Sequence, residues 1–325
     1  TAIPEDCLAH APFDVVLTGE AEDSLCHLVS AVHEGARGSD LLDTPGAVVM
    51  VRDEIKKSLS GPSPVDIKTI PRPARELIDL NTYNQAGAIV ASRGCQGRCI
   101  FCSTGSSGGF RCREPLDVID EIEEFVCRYS KQDIIFLDDV FTAKRIWIID
   151  ICRLLLSLRA PIRWGCSARV SDVDSKLLSL MAAAGCRAIH FGAESGEAHV
   201  LSGLRKGCMP NQTEAAVVEA RKVGVDFVSC SFIIGAPDDT EDTIAKTIAF
   251  AANLRRLGAT HTPFSIMTPY PGSLLFEKPE MFGVHIHSFD WNRYVPTVSN
   301  ISTKHLSRRR IEELYFDAIS SLHEQ

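Results

Sequence analysis

From about residue 85 onward, short runs of apolar, mostly β-branched positions alternate with longer stretches in which apolar residues recur every three or four positions. The first kind of run reads as a strand buried on both faces and the second as a helix with one apolar stripe, so the chain is a series of β/α units building a parallel sheet. Six strands are expected, at Ala88 to Ala91, Asp133 to Leu137, Ile162 to Cys166, Arg187 to Phe191, Asp226 to Ile234 and Thr262 to Met267. Between the first two strands, Ile119, Ile122, Phe125, Val126 and Tyr129 fall on one face of a helix that Pro115 opens. Ser171 and Asn211 are expected helix caps, and Gly185, Gly224 and Gly258 expected helix ends.

Each expected strand runs into a polar, small or bend-forming segment. These are Ser92-Arg93-Gly94-Cys95, Asp138-Asp139, Ser167-Ala168-Arg169, Glu194-Ser195-Gly196, Gly235-Ala236-Pro237 and Thr268-Pro269-Tyr270-Pro271-Gly272. In β/α barrels the loops after the strands converge on one face, and the active site is built there. Six units fall short of the eight that close a barrel. The expected fold is therefore α/β, a partial (β/α)6 TIM-like barrel over residues 81–275, with its open side covered by the tail, by substrate or by another domain.

The flanks carry different patterns. Residues Asp14 to Glu22, then an apolar-periodic helix through Val32, read as the last strand and helix of an open α/β domain, a truncated Rossmann-like remnant within residues 1–80. Pro71-Arg72-Pro73-Ala74-Arg75 reads as the linker into the barrel. Residues 276–325 contain Trp291, Tyr294 and a final helix with Ile311, Leu314, Tyr315, Ala318 and Leu322 in register, an extension expected to cap or flank the barrel.

Composition narrows the function classes. The chain has 325 residues, 45% hydrophobic and 23% charged, the profile of a soluble globular protein with a sizeable core. No apolar run approaches the roughly 20 residues that span a bilayer, which argues against a membrane-spanning role. A net charge of −8 supplies no positive field for nucleic acid, and the basic run Arg308-Arg309-Arg310 reads as a solvated helix face. Residue 1 is Thr and no leader pattern is visible, so a fragment or processed form in the reducing cytoplasm is expected. Of twelve cysteines, Cys152, Cys166, Cys186 and Cys230 lie in apolar segments, where cysteine packs as a small hydrophobe.

Three others are different. Cys95, Cys99 and Cys102 have the spacing C-x3-C-x2-C directly after the first strand, with Gly94 and Gly97 allowing close backbone wrapping and Phe101 shielding. Three thiolates on one loop can ligate three irons of a 4Fe-4S cluster and leave the fourth open. The amino and carboxylate groups of S-adenosylmethionine can chelate that open iron. One electron then breaks a carbon–sulfur bond, and the 5′-deoxyadenosyl radical formed must be shielded from water. Zinc held by these cysteines and Cys112, which lies beyond the Gly105 to Gly109 stretch, is the bland alternative, as in a metal-bearing binding module.

The triplet, with its aromatic residue before the third cysteine, resembles the hallmark of the radical S-adenosylmethionine superfamily, and the later strand ends resemble its branch with an N-terminal cobalamin-binding domain. The resemblance implies that Phe101 meets the adenine through its backbone and that Asp138 and Asp139 lie near the cofactor's amino group. It implies that Arg169 pairs with the cofactor carboxylate, and that Glu194 and Ser195 bind the ribose hydroxyls and carboxylate. Gly235 and Pro237 would bend the fifth strand's end towards the adenine. Where the superfamily often has Gly-Gly-Glu, this chain has Asp138-Asp139, which leaves each aspartate's role open.

The branch resemblance further implies methyl transfer through methylcobalamin in the intact protein, a small organic substrate, and a low-potential electron donor such as flavodoxin or ferredoxin. Cyclisation or rearrangement, which the branch also performs, is the alternative. Methylthiotransfer is disfavoured because Cys7 and Cys26 stand alone, without a second upstream cluster. The remnant before residue 80 is expected to bind cobalamin weakly or not at all by itself.

Overall fold

The computed structural model describes residues 2–82, 87–104, 109–158 and 161–323. Gly105 to Gly108 of the glycine-rich stretch, and the side chain of Leu322, lie outside what is described. One compact unit ends at Arg72, and the other begins at Pro73 and carries the remaining described residues.

The first unit contains α1 (Pro4–His10), β1 (Val15–Leu17), α2 (Glu22–His33), β2 (Ala47–Val51) and β3 (Glu54–Lys57). The strand and helix expected between Asp14 and Val32 are present, and a hairpin that the pattern did not reveal joins them. All pairing in this sheet is antiparallel, in the order β1-β2-β3. Arg52 and Asp53 close the hairpin with φ of 51° and 64°, the geometry of a two-residue primed turn. Since β3 is exposed throughout, it shows no alternation by which a sequence reading would find it. Leu28, Leu41, Ala47 and Val49 form the unit's small core.

The second unit is built on β4 (Gly87–Ile89), β7 (Asp133–Phe136), β8 (Arg163–Ala168), β9 (Cys186–Glu194), β10 (Phe227–Ile234) and β11 (Phe264–Ile266). They form one six-stranded parallel sheet in the order β11-β10-β9-β8-β7-β4, each strand beside its predecessor in the chain. The expected partial barrel is thus the observed architecture, with the outer strands shorter than their apolar runs. A two-stranded ribbon, β5 (Ser92–Arg93) with β6 (Arg111–Cys112), brackets the cysteine loop.

Helices α3 (Pro115–Tyr129), α4 (Arg145–Leu156), α5 (Ser175–Ala183), α6 (Ala198–Gly203), α7 (Pro210–Lys222) and α8 (Glu241–Leu257) connect the strands. In α3, Val118, Ile119, Ile122 and Phe125 are buried, as the stripe predicts. Capping differs from expectation: Asp174, not Ser171, accepts from Leu177 N–H at 2.8 Å to start α5. Asn211 lies inside the first turn of α7, which Pro210 opens with its φ already fixed. A capping pair of Thr240 and Thr243 begins α8, and Gly258 at φ 117° ends it. Between helices and sheet, Phe136 and Phe141 stack at 4.2 Å and Trp164 meets Phe136 edge-on at 5.6 Å. The indole N–H donates to Ala184 O at 2.8 Å, so this large core residue carries no unpaired polar atom.

After β11 come α9 (Leu274–Glu277), the ribbon β12 (Val284–Ile286) with β13 (Ile301–Thr303), and α10 (Arg308–His323). Ile311 of α10 lies so close to Gly235 that a Cβ there would stand 2.8 Å from its methyl group. Arg310 forks onto Glu241 of α8 at 2.8 and 3.0 Å, and Arg309 pairs with Glu313 at 2.9 Å. The basic run is therefore an ion-paired helix face.

Candidate active site

Cys95, Cys99 and Cys102 lie on the loop between β5 and β6, all as free thiols, while Cys112 stands in β6 opposite Ser92. Fully buried Ile100 pins the loop's centre. Its N–H donates to Leu204 O at 3.2 Å, and its carbonyl accepts from Leu275 N–H at 2.8 Å. The two aspartates after β7 hold the loop's root: Asp139 accepts from Gly94 N–H at 3.0 Å, and Asp138 from Ala91 N–H at 3.2 Å and from the Ser92 hydroxyl. Burial pushes the Asp138 carboxyl up to about 6, against the pull of those hydrogen bonds.

Arg169, beyond β8, reaches the same loop. A Cβ on Gly97 would stand 2.8 Å from Arg169 Nη1 and 3.2 Å from Cys95 Sγ, so guanidinium and sulfur flank one glycine. Its Nη2 donates to Lys206 O at 2.7 Å. The Lys206 ammonium in turn donates to Glu194 Oε1 at 2.6 Å, with both side chains largely buried. Glu194 adopts φ 61°, a left-handed backbone that costs a non-glycine residue on the order of 1 kcal/mol. Gly192 makes room for the pair, since a Cβ there would collide with Glu194 Oε1 and stand 2.5 Å from Lys206 Nζ.

Charges gather around Cys99. Burial pushes its thiol up, while Lys206 and Arg169 pull it down and Glu194 and Cys102 push it up again. Burial alone would lower the Lys206 ammonium, but the charge and hydrogen bond of Glu194 outweigh it and hold it above its usual value. His190 of β9 lies 3.1 Å from Ser229 Oγ and 3.3 Å from Ser231 Oγ of β10, and burial lowers its pKa.

The other expected residues have different surroundings. Phe101 is half-buried against the main core. The Ser195 hydroxyl lies 3.1 Å from Thr247 Oγ1 and accepts from Glu197 N–H at 3.2 Å, tying the β9 loop to α8. At the end of β10, Asp239 accepts from Gly235 N–H at 3.0 Å and Ala236 N–H at 2.8 Å, clamping the turn that contains buried Pro237. Burial pushes the Asp239 carboxyl up to about 6.

Sequence reading missed Lys206, Asp239 and Thr247. A lone lysine in Leu204-Arg205-Lys206-Gly207 has no period to mark it, and only the nearby glycine hints at a tight approach. Asp239, just ahead of a helix after Pro237, carried a turn signal that was available.

Among the described residues, no three His, Cys, Asp or Glu side chains are gathered as a metal-ligand set. Cys95 Sγ instead accepts from Gly97 N–H at 3.2 Å, and Cys99 Sγ donates to Arg205 O at 3.9 Å. Thiols in this form take local hydrogen-bond partners, whereas thiolates ligate iron. Three free thiols on one anchored loop, wrapped on a glycine whose Cβ would crowd Cys95 Sγ, fit a cubane with one open corner.

A profile of the radical SAM superfamily matches residues 89–251, spanning the loop and the strands that carry Arg169 and Glu194. The chain belongs to the radical SAM superfamily. As a radical SAM enzyme it uses a 4Fe-4S cluster and S-adenosylmethionine. An uncharacterized methyltransferase of Pyrococcus horikoshii, PH0819, is 30% identical over 99% of this chain and 70% of its own length. The anaerobic magnesium-protoporphyrin IX monomethyl ester cyclase of Cereibacter sphaeroides is 28% identical over 93% of this chain and 50% of its own. Among solved structures, the radical S-adenosylmethionine methyltransferase TsrM of Kitasatospora setae, with cobalamin and a 4Fe-4S cluster bound, superposes with a TM-score of 0.74 at 22% identity. The match covers 96% of this chain and 64% of TsrM. The cobalamin-dependent radical enzyme OxsB, with aqua-cobalamin and S-adenosylmethionine bound, gives 0.79 at 17% identity, covering 97% and 51%. These two show a shared fold. The chain thus spans half to about seventy per cent of the length of these relatives.

Proposed function

We propose that the intact protein is a cobalamin-dependent radical methyltransferase acting on a small organic substrate. The supporting observation is the convergence of Arg169, Lys206 and Glu194 on the cysteine loop, in a chain similar to PH0819 over nearly its whole length. In this reading Cys95, Cys99 and Cys102 hold the cluster, which when bound supplies the electron that opens the cofactor's carbon–sulfur bond. Glu194 receives the ribose hydroxyls, and Arg169 offers a planar fork to the carboxylate. Asp138 and Asp139 act one step back, fixing the backbone from which the sulfurs project. The backbone beside Phe101 and the Gly235 to Pro237 turn would receive the adenine, with Ser195 holding the β9 loop in place.

A flavodoxin or ferredoxin in the cytoplasm would supply electrons. Among the described residues no helix is long and apolar enough to cross a membrane. Oxidative cyclisation is the second reading, favoured by the similarity to the protoporphyrin ester cyclase.

Anaerobic reconstitution of the full-length protein with iron, sulfide and cobalamin, followed by reductant, S-adenosylmethionine and candidate substrates, tests the proposal. The expected products are 5′-deoxyadenosine, S-adenosylhomocysteine and a substrate heavier by one methylene unit. A ring-closed product without methyl gain would move the assignment to cyclisation. Cys99→Ala should lose iron, sulfide and all 5′-deoxyadenosine while keeping the wild-type circular dichroism; cofactor cleavage by that variant would remove Cys99 from the ligand set.

A further inference from the structure

A line of polar side chains crosses the inner face of the sheet, outside the corner beside Cys99. Phe191, Cys230 and Phe232 are buried in the main core, so His190 and Gly192 of β9 and Ser229 and Ser231 of β10, on the opposite face, look into the barrel lumen. Three contacts join them end to end. His190 Nε2 lies 3.3 Å from Ser231 Oγ, and His190 Nδ1 lies 3.1 Å from Ser229 Oγ. Ser229 Oγ lies 3.4 Å from Nδ1 of His261, which bridges to Ser229 ahead of β11. The two ends have different surroundings. Ser231 pairs in register with Gly192, where the Glu194 carboxylate and Lys206 ammonium fill the place of a Cβ. Ser229 is 3% exposed, whereas His261 at the far end is open to solvent.

We propose that Ser231, His190, Ser229 and His261 form a proton path between the barrel lumen and the solvent. A hydroxyl both donates and accepts, and a neutral imidazole has one nitrogen for each role, so every link can take a proton on one side and give one on the other. A proton reaching Ser231 Oγ sends the Ser231 proton to His190 Nε2. The His190 Nδ1 proton then passes to Ser229, the Ser229 proton to His261 Nδ1, and the His261 Nε2 proton to water. Both imidazoles end in the other tautomer, and no electron moves. Burial lowers the His190 pKa; Glu194 of its own strand raises it, and Lys206 from the loop after α6 and His261 lower it again. On its other side β8 presents the uncharged Ser167 at the same register. A neutral His190 keeps one ring nitrogen able to accept, as the path requires.

The path also defines a substrate class, a step that rests on the radical methyl-transfer reading of this lumen. A substrate filling the lumen excludes water, so a proton released there needs a way through the wall. The substrate that fits carries an O–H or N–H beside its reacting carbon. Once that carbon has lost a hydrogen atom, the neighbouring O–H or N–H is more acidic, because the unpaired electron and the negative charge of its conjugate base are shared by the same atoms. The hydrogen atom goes with its one electron to the 5′-deoxyadenosyl radical. The proton goes to Ser231, and the electron pair of the O–H or N–H bond stays on the substrate.

Nuclear magnetic resonance of the reduced, cluster-free full chain, isotopically labelled at the histidine nitrogens, tests the path, because ring nitrogen shifts report which nitrogen carries the proton. When pH is lowered until His261 carries both ring protons, its Nδ1–H donates to Ser229, Ser229 donates to His190 Nδ1, and the neutral His190 ring should move to the Nε2–H tautomer at the same midpoint. Ser229→Ala should uncouple the two rings, and Ser229→Thr, which keeps the hydroxyl, should restore the coupling. A His190 tautomer that ignores His261 in the wild type, or that still follows it in Ser229→Ala, overturns the path. The substrate class is tested with the reconstituted full-length protein on candidate substrates taken in pairs. The member with a free O–H or N–H beside the reacting carbon should turn over and its O- or N-methylated twin should not; equal turnover of the twins overturns the class. The tautomer measurement needs no cofactor, so its failure is distinct from a failure to form 5′-deoxyadenosine, which would strike the radical reading instead.

Discussion

Asp138 shows how one side chain after a strand can fasten the root of the cysteine loop. It is 3% exposed, it accepts from Ala91 N–H and the Ser92 hydroxyl, and its carboxyl is pushed up to about 6. A carboxyl whose folded value exceeds its unfolded value near 3.8 holds its proton more tightly in the fold. The stabilisation is complete below pH 3.8 and is lost as pH rises through about 6, a change on the order of 3 kcal/mol at about 1.4 kcal/mol per unit. Asp138→Asn cannot titrate. Its stability relative to the wild type should therefore climb by roughly that amount between pH 4 and pH 7 in urea melts. A constant difference across that range would show that Asp138 is not the buried acid described.

The site was legible in part for reasons visible at this same scale. The thiols, Arg169 and Glu194 were readable because strand ends are marked by the switch from apolar runs to polar residues. Lys206 was not, because nothing local says that a lysine after a short helix folds back onto Glu194, twelve residues earlier in the chain. The aspartates after β7 were readable as site residues. Their role was not, since a carboxylate that binds ligand and one that binds backbone look alike in sequence.

At the scale of elements, the linker into the barrel is fastened by a buried charge cluster. Glu121 of α3, only 1% exposed, accepts from Arg75 Nη2 and Arg113 Nη1, both at 2.5 Å. Arg75 also donates to Ala88 O at 2.9 Å and lies over the Phe125 ring at 4.4 Å, while Arg113 donates to Val90 O at 3.1 Å. One carboxylate thereby joins the chain before the barrel, the first barrel strand and the first barrel helix. Glu121→Gln takes the counter-charge from Arg75 and leaves Arg113 with Asp117 alone, at 2.7 Å, and should destabilise the fold by about 3 kcal/mol or more. The same substitution should leave the cysteine spacing untouched, so iron incorporation at low temperature is expected to match the wild type. A melt within 0.5 kcal/mol of the wild type would mean that water, not Glu121, satisfies those guanidiniums. The helical stripe of α3 was readable, but an acid on its buried side was not, because Glu121 follows the polar period and only Arg75 and Arg113 explain its burial.

At the scale of the whole molecule, the parallel sheet followed from alternation alone, whereas the antiparallel pairing of β1, β2 and β3 did not. An exposed edge strand and a hairpin turn of Arg and Asp give weak local signals. The unit they form has a small core cluster of Leu28, Leu41, Ala47 and Val49, with Leu8, Val48, Val65 and Ile67 buried besides. Such a core offers little enclosed surface for a macrocycle. We expect the 325-residue chain to bind hydroxocobalamin weakly, with no stoichiometric end-point in a visible titration at micromolar concentration. Tight one-to-one binding by this chain would contradict that expectation.

The strand order has a consequence for how the protein is made. Because each strand lies beside the one before it, no late segment must thread between earlier ones. During synthesis, the corner where Cys99, Arg169, Glu194 and Lys206 meet has all its parts once residue 206 has left the ribosome, while β10, β11 and α10 are still to come. Among the backbone bonds to buried Ile100, the one from Leu275 N–H waits until residue 275 has been made. The nascent chain can thus gather the parts around the cysteine loop early and fasten its centre late.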